Sequence, residues 1–196
     1  MIPITNALAQ VLMLAALAFT LDPTFEVKDV HGHLFRPFCV EGKAQVLFFL
    51  SAECPISRFY ATEIQRICRD YETRGVRCGL VYEDVPVDPA AVRTHLEEFG
   101  YRDIPAVTDG TGKIAKQTGA SVTPQTVVID KAGKIRYRGR IDNFYADLGK
   151  LRRQATVHDL RDALDAVVAG RAVAHPETTP FGCFIVSAEF LKEKSQ

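Results

Sequence analysis

The chain has 196 residues, and its 24 Lys plus Arg balance 24 Asp plus Glu, so the formal net charge is zero. That balance excludes a broad electrostatic attraction to nucleic acid or anionic lipid and leaves only a local basic patch open. A hydrophobic share of 47% supplies a full core and argues against disorder, and the length fits one domain with extensions.

Ala7 to Phe19 form an apolar run with one polar interruption, Gln10, and Ala16-Leu17-Ala18 has the small residues of a cleavage site. Residues 1–18 are therefore expected to be a signal peptide, and the protein to be exported (periplasmic or extracellular). No Lys or Arg precedes Lys28, which leaves the alternative of a cytoplasmic protein whose N-terminal helix packs on the domain. The run is too short for a comfortable membrane span.

Thr24 to Phe38 reads as an N-terminal hairpin, with Asp29-Val30-His31-Gly32 as its turn. Gln45–Leu50 is a continuous apolar strand of the kind buried on both faces of a parallel sheet. Pro55 to Tyr71 has helical spacing, with Phe59, Ile64, Ile67 and Tyr71 on or near one face, and Arg74-Gly75 stops it. Val76–Tyr82 is the next strand. Asp88-Pro89 opens a second helix, by N-cap and first-turn proline, that runs to Gly100.

A short strand at Ile104–Val107 and a short helix at Ile114 to Thr118 follow. Thr126–Ile129 and Ile135–Arg138 flank the hairpin turn Asp130-Lys131-Ala132-Gly133. Thr156 to Ala169 is predicted to be a helix with Thr156 as N-cap and Asp159 three residues in. Residues 171–196 form a tail that is extended around Pro176 and Pro180. Strand–helix–strand, then a hairpin and a closing helix, implies an α/β fold: a central mixed sheet with helices on both faces, spanning residues 24–170.

The most informative stretch is Cys54-Pro55-Ile56-Ser57, almost directly after Val46-Leu47-Phe48-Phe49-Leu50. It puts a cysteine at the carboxyl end of a central strand and at the start of a helix, where open α/β sheets place their sites. Unpaired N–H groups at a helix start favour thiolate over thiol, while Glu53 alongside opposes it. Ser57 stands where a dithiol enzyme would carry its second cysteine. Its hydroxyl either supports the thiolate or satisfies first-turn backbone groups.

Of the five cysteines, Cys68 and Cys78 fall on apolar faces of a helix and a strand and are read as core; Cys39 is left unassigned. The spacings match no zinc pattern, and His31-Gly32-His33 offers only two ligands together, so no metal is expected.

Phe48 to Ser57, together with Val122-Thr123-Pro124-Gln125-Thr126, resembles the redoxin branch of the thioredoxin-like superfamily, often labelled alkyl hydroperoxide reductase/thiol-specific antioxidant. The similarity spans roughly Thr24 to Gly170. Thr178-Thr179-Pro180-Phe181-Gly182-Cys183 and Arg140-Ile141-Asp142-Asn143-Phe144-Tyr145 also resemble segments of exported redoxin-domain proteins.

The resemblance implies a thioredoxin-like fold with Cys54 as nucleophile beside Pro55. It implies a cis proline at Pro124, and a backbone at Thr123 that pairs with an extended substrate segment. Ser51 takes the place where peroxiredoxins usually have threonine, whereas Thr123-Pro124 takes the place of their activating arginine. The expected function is thiol–disulfide exchange through the single helix-start cysteine. The alternatives are a peroxiredoxin-like peroxidase and a non-catalytic peptide-binding module.

Cys183, in the tail, is the candidate resolving thiol, pairing with Cys54 within one chain or across a dimer. No cofactor is expected. The implied partners are a thiol or disulfide protein, or a peroxide, and an external thiol reductant; the oligomeric state is not readable.

Overall fold

The computed structural model describes residues 21–84, 88–101, 103–147 and 150–186. The apolar run and cleavage site expected of a signal peptide lie outside the described residues. Its strands are β1 (Val27–Lys28), β2 (Leu34–Phe35), β3 (Ala44–Leu50), β4 (Val76–Tyr82), β5 (Ala106–Thr108), β6 (Val122–Thr123), β7 (Gln125–Asp130), β8 (Ile135–Gly139), β9 (Tyr145–Asp147), β10 (Lys150–Leu151) and β11 (Cys183–Phe184). Its helices are α1 (Pro55–Phe59), α2 (Ala61–Glu72), α3 (Pro89–Glu98), α4 (Lys113–Thr118) and α5 (Asp159–Val168).

Five strands form the central sheet in the order β5-β4-β3-β7-β8. β3, β4 and β5 are parallel, and β7 runs antiparallel to both β3 and β8. The alternation along β3 explains its unbroken apolar sequence. Ala44, Val46, Phe48 and Leu50 face α2, α3 and α5, through residues such as Ile64, Ile67, Leu96, Leu160 and Leu164. Leu47 and Phe49 face the other way, toward Phe38, Ile114 and Ala115, with the partly buried Phe25 and Phe35 of the N-terminal hairpin beside them. All seven residues of β3 are buried. The sheet is mixed and thioredoxin-like, with helices on both faces and the expected hairpin packed on the α4 side.

Three local expectations are corrected. The helix after Cys54 is broken at Tyr60, which caps α1 and starts α2. Its Phe59 is 48% exposed rather than buried, because it stacks on Phe144 with ring centroids 4.6 Å apart instead of turning to the sheet. The last helix starts at Asp159, not Thr156. Asn143 Oδ1 accepts the Thr156 and Val157 N–H groups and its amide donates to the Thr156 hydroxyl, so these groups are spent on a loop.

Cys68 and Cys78 are joined by a disulfide rather than being separate core thiols. Cys68 on α2 and Cys78 on β4 have Cα atoms 5.9 Å apart, inside the range a disulfide spans. Helical and strand periodicity put both on apolar faces, but neither shows that α2 packs over β4 at that level. Closing so short a loop limits the unfolded chain, so replacing both residues with Ala is expected to cost about 2–3 kcal/mol. Denaturant unfolding of the oxidised protein and the double variant checks this; equal midpoints and slopes would show that the bridge adds nothing.

Candidate active site

The site lies where β3 ends. Ser51, Ala52 and Glu53 carry the chain off the sheet, and Cys54 is the N-cap of α1 with Pro55 in the first turn. Beside it, β4 is followed by Glu83 and Asp84, and the Glu83 N–H donates to the Leu50 carbonyl at 2.9 Å. Asp84 braces the turn: it accepts the Ser51 hydroxyl at 2.6 Å and the Ala52 N–H at 3.0 Å. Ser51 Oγ in turn accepts the Glu53 N–H at 3.2 Å, and Arg58 donates to the Ala52 carbonyl at 2.8 Å.

The Thr123–Pro124 peptide is cis, as the resemblance implied. It joins β6 to β7, and β7 pairs along β3, which brings the loop over Cys54. As a thiol, Cys54 donates to the Thr123 carbonyl at 3.3 Å. Ser57 is fully buried, and its hydroxyl accepts the Ser51 N–H at 3.4 Å.

The tail completes the site. Arg138 donates its N–H to the Pro176 carbonyl, and the Thr178 N–H donates to Arg138, so the tail first runs along β8. The Thr178 hydroxyl meets the Tyr137 hydroxyl at 2.7 Å, and Arg138 pairs with Glu177. Phe181 then stacks on Tyr145, rings 6.1 Å apart and 13° from parallel.

Next, β11 pairs antiparallel with β6, with Cys183 opposite Thr123 and Phe184 opposite Val122. Gly182 permits this approach, because a Cβ there would overlap the Thr123 carbonyl. The Ile185 N–H closes the strap on the Ser121 carbonyl at 2.9 Å.

This path sets Cys183 Sγ 3.0 Å from Cys54 Sγ, with both cysteines free. That is about 1 Å beyond a disulfide bond. The two thiols differ in acidity. Burial pushes the Cys54 thiol up, but hydrogen bonds from Cys183, from the Ser57 N–H and hydroxyl and from the Ile56 N–H outweigh it and hold it below the ordinary thiol value. Burial, then the hydrogen bond and charge of Cys54, push Cys183 up to about 11. Cys54 is only 2% exposed, whereas Cys183 is exposed.

The structure therefore brings together Ser51, Cys54, Pro55, Ser57, Thr123, Pro124 and Cys183. The sequence motifs assign no site role to Glu83, Asp84 or Tyr60, and they include Tyr145 only as part of the Arg140–Tyr145 segment. The Tyr60 hydroxyl donates to Asp142 at 2.6 Å, tying α1 to the segment that leads into Tyr145. The available signal is two acids directly after the largely apolar strand Val76–Tyr82, hence at the same end of the sheet as Cys54.

A larger cavity of about 780 Å³, lined by Cys39, Cys68 and Cys78 among others, lies at the opposite end of β4 and shares none of these residues. Among the described residues no group of three or more His, Cys, Asp or Glu could hold a metal ion. No helix among them is long and apolar enough to cross a membrane.

The chain is similar to a hypothetical protein of Sinorhizobium meliloti 1021 (26% identity, 84% of this chain and 91% of that one, TM-score 0.72). It is also similar to an uncharacterized conserved protein of Geobacillus kaustophilus (28% identity, 85% and 90%, TM-score 0.71). A secreted Mycobacterium tuberculosis disulfide oxidoreductase shares the fold at 17% identity (74% and 95%, TM-score 0.52). No curated protein matches in sequence. The AhpC/TSA family model matches residues 21–138, which contain β1–β7, most of β8, Cys54 and the cis-proline loop, and it supports an oxidoreductase enzyme. With the matched region and the fold in agreement, the chain belongs to the AhpC/TSA family.

Proposed function

We propose that this protein is a thiol–disulfide oxidoreductase that works with two cysteines, Cys54 as nucleophile and Cys183 as its resolving partner. The observation that carries this reading is the 3.0 Å approach of the two sulfurs, held by the β11–β6 pairing. It replaces exchange through one cysteine, which the motif alone suggested.

Cys54 thiolate attacks one sulfur of a substrate disulfide, forming a mixed disulfide and releasing the other sulfur as thiolate. Cys183 then attacks Cys54 Sγ. The mixed disulfide breaks, the second substrate sulfur leaves, and the substrate is reduced while a Cys54–Cys183 disulfide forms. An external thiol reductant returns the pair to dithiol. The Cys68–Cys78 bridge supports an oxidising compartment and hence export.

Peroxide is the second reading, favoured by the burial of Cys54, which suits a small oxidant. Attack by the thiolate on a peroxide oxygen gives sulfenic acid and an alcohol or water, and Cys183 then condenses with it, expelling water. Against this, the Ser51 hydroxyl is committed to Asp84, and the cis-proline loop presents no cation in the Thr123–Pro124 position.

Reduction of insulin disulfides and consumption of peroxide, each with a supplied thiol reductant, separate the readings in wild type, Cys54→Ser and Cys183→Ser. Exchange should be present in wild type, fall to background in Cys54→Ser, and stall in Cys183→Ser with substrate trapped on Cys54. Peroxide turnover without exchange would establish the peroxidase, and neither activity would leave a binding module.

The acidity difference gives a second check. A thiolate is populated only above its pKa, so alkylation of the reduced protein, followed site by site by mass spectrometry, should set in at Cys54 below the ordinary thiol range. Cys183 should respond only toward pH about 11. The reverse order would contradict the assigned roles.

A further inference from the structure

Three carboxylates lie just past the carboxyl ends of β4 and β5, and they are not equivalent. Asp84 spends both oxygens on Ser51 and Ala52. Asp109, in the loop before α4, accepts the N–H groups of Lys113, Ile114 and Ala115. Glu83 is 6% exposed, and its Oε1 is buried without a hydrogen-bond partner. A buried carboxyl oxygen with no donor is costly as an anion and is the natural place for a proton.

Glu83 also has an outlet. It lines a cavity of about 220 Å³ whose other walls include Ser51, Asp84, Thr123, Cys183 and Phe184. The cavity is thus bordered both by Glu83, one carboxyl oxygen of which has no partner, and by the less acidic cysteine. The volume has room for water, which occupies roughly 30 Å³ per molecule in the liquid, so a proton can cross from one wall to the other.

We propose that Glu83 donates a proton to Cys183 when the Cys54–Cys183 disulfide opens. This rests on the two-cysteine reading above. In the opening step, a thiolate of an outside dithiol attacks Cys54 Sγ and a new sulfur–sulfur bond forms there. The Cys54–Cys183 bond breaks, its electron pair passes to Cys183 Sγ, and that sulfur receives the Glu83 proton. The partner's second thiolate then attacks its own sulfur in the mixed disulfide and releases Cys54 as thiolate. The partner is oxidised to its disulfide, the protein is reduced, and solvent returns a proton to Glu83.

The charge balance suits the task. The groups facing Glu83 are Asp84 from its own strand end, Asp109 from the α4 loop, Ser51 from the turn after β3, Thr123 from the cis-proline loop and Cys183 from the tail. Burial first, then the charges of Asp109 and Asp84, push the Glu83 carboxyl up to about 9, so it carries a proton at neutral pH. Cys183, the weaker acid of the pair, is the sulfur that needs one on leaving. Cys54 departs as a stable thiolate and needs no donor.

The test uses the full chain, oxidised so that peptide mapping shows the Cys54–Cys183 disulfide, and follows its reduction by dithiothreitol from neutral to strongly alkaline pH. The ratio of wild-type to Glu83→Gln rates cancels the titration of the reductant. It should be about 100 at neutral pH, the low end for general acid catalysis, and fall toward one above the Glu83 pKa, where the proton is gone. Glu83→Asp, which keeps the acid on a shorter arm, should recover part of the rate and keep the break in pH dependence; it serves alone if Glu83→Gln does not fold.

A ratio near one at neutral pH, or a slowing that is the same at every pH, would overturn the assignment and leave Glu83 a packing residue. Failure to form the Cys54–Cys183 disulfide at all would instead overturn the two-cysteine reading, and this assignment with it.

Discussion

The burial of β3 on both faces is the constraint from which the site follows. With every residue of the strand out of water, its neighbours are fixed in register, β4 in parallel on one side and β7 antiparallel on the other. A strand so placed has one free direction at its carboxyl end. There the chain leaves the sheet, turns at Ser51 to Glu53, and presents Cys54 at the start of α1. The same registers bring the end of β4, with Glu83 and Asp84, and the start of β7, with the cis proline, to that point. Three separate segments of sequence meet because one strand has no freedom to shift.

On that base the tail adds the second sulfur. Its hold is distributed: Pro176 to Thr178 run along β8, Phe181 rests on Tyr145, Gly182 allows the backbone to close on Thr123, and β11 fixes the register. The edge of β6 is thereby paired with the protein's own chain, and Cys54 lies beneath it. The asymmetry between the two thiols has a simple source. At Cys54 burial is outweighed by hydrogen-bond donors, whereas at Cys183 burial and then the neighbouring sulfur both raise the thiol, so one is stabilised as thiolate and the other as thiol.

Much of this was legible in the residues. The apolar run before Cys54, the Asp88-Pro89 helix start and the hairpin turn at Asp130 to Gly133 are local signals, and each specifies its own element. The cysteine–proline pair and Thr123-Pro124 gave the site's centre through resemblance. What stayed hidden depends on packing between elements. The Cys68–Cys78 bridge requires knowing how far α2 has rotated over β4, and the break falls at Tyr60, whose hydroxyl donates to Asp142, distant in sequence. Asn143 competing for Thr156 displaced the start of α5 for the same reason. Glu83 belongs to no motif; only the fold makes it line one cavity with the tail.

The central claim is that Cys54 and Cys183 form one reversible two-electron couple. Equilibration of the protein in glutathione buffers of graded redox poise, with acid quench, alkylation and peptide mapping, measures this directly. The account predicts that both cysteines pass from thiol to a shared Cys54–Cys183 disulfide in a single joint transition, while Cys68–Cys78 stays closed at more reducing poise. Separate transitions for the two, with glutathione accumulating on Cys54 and Cys183 remaining a thiol, would contradict it.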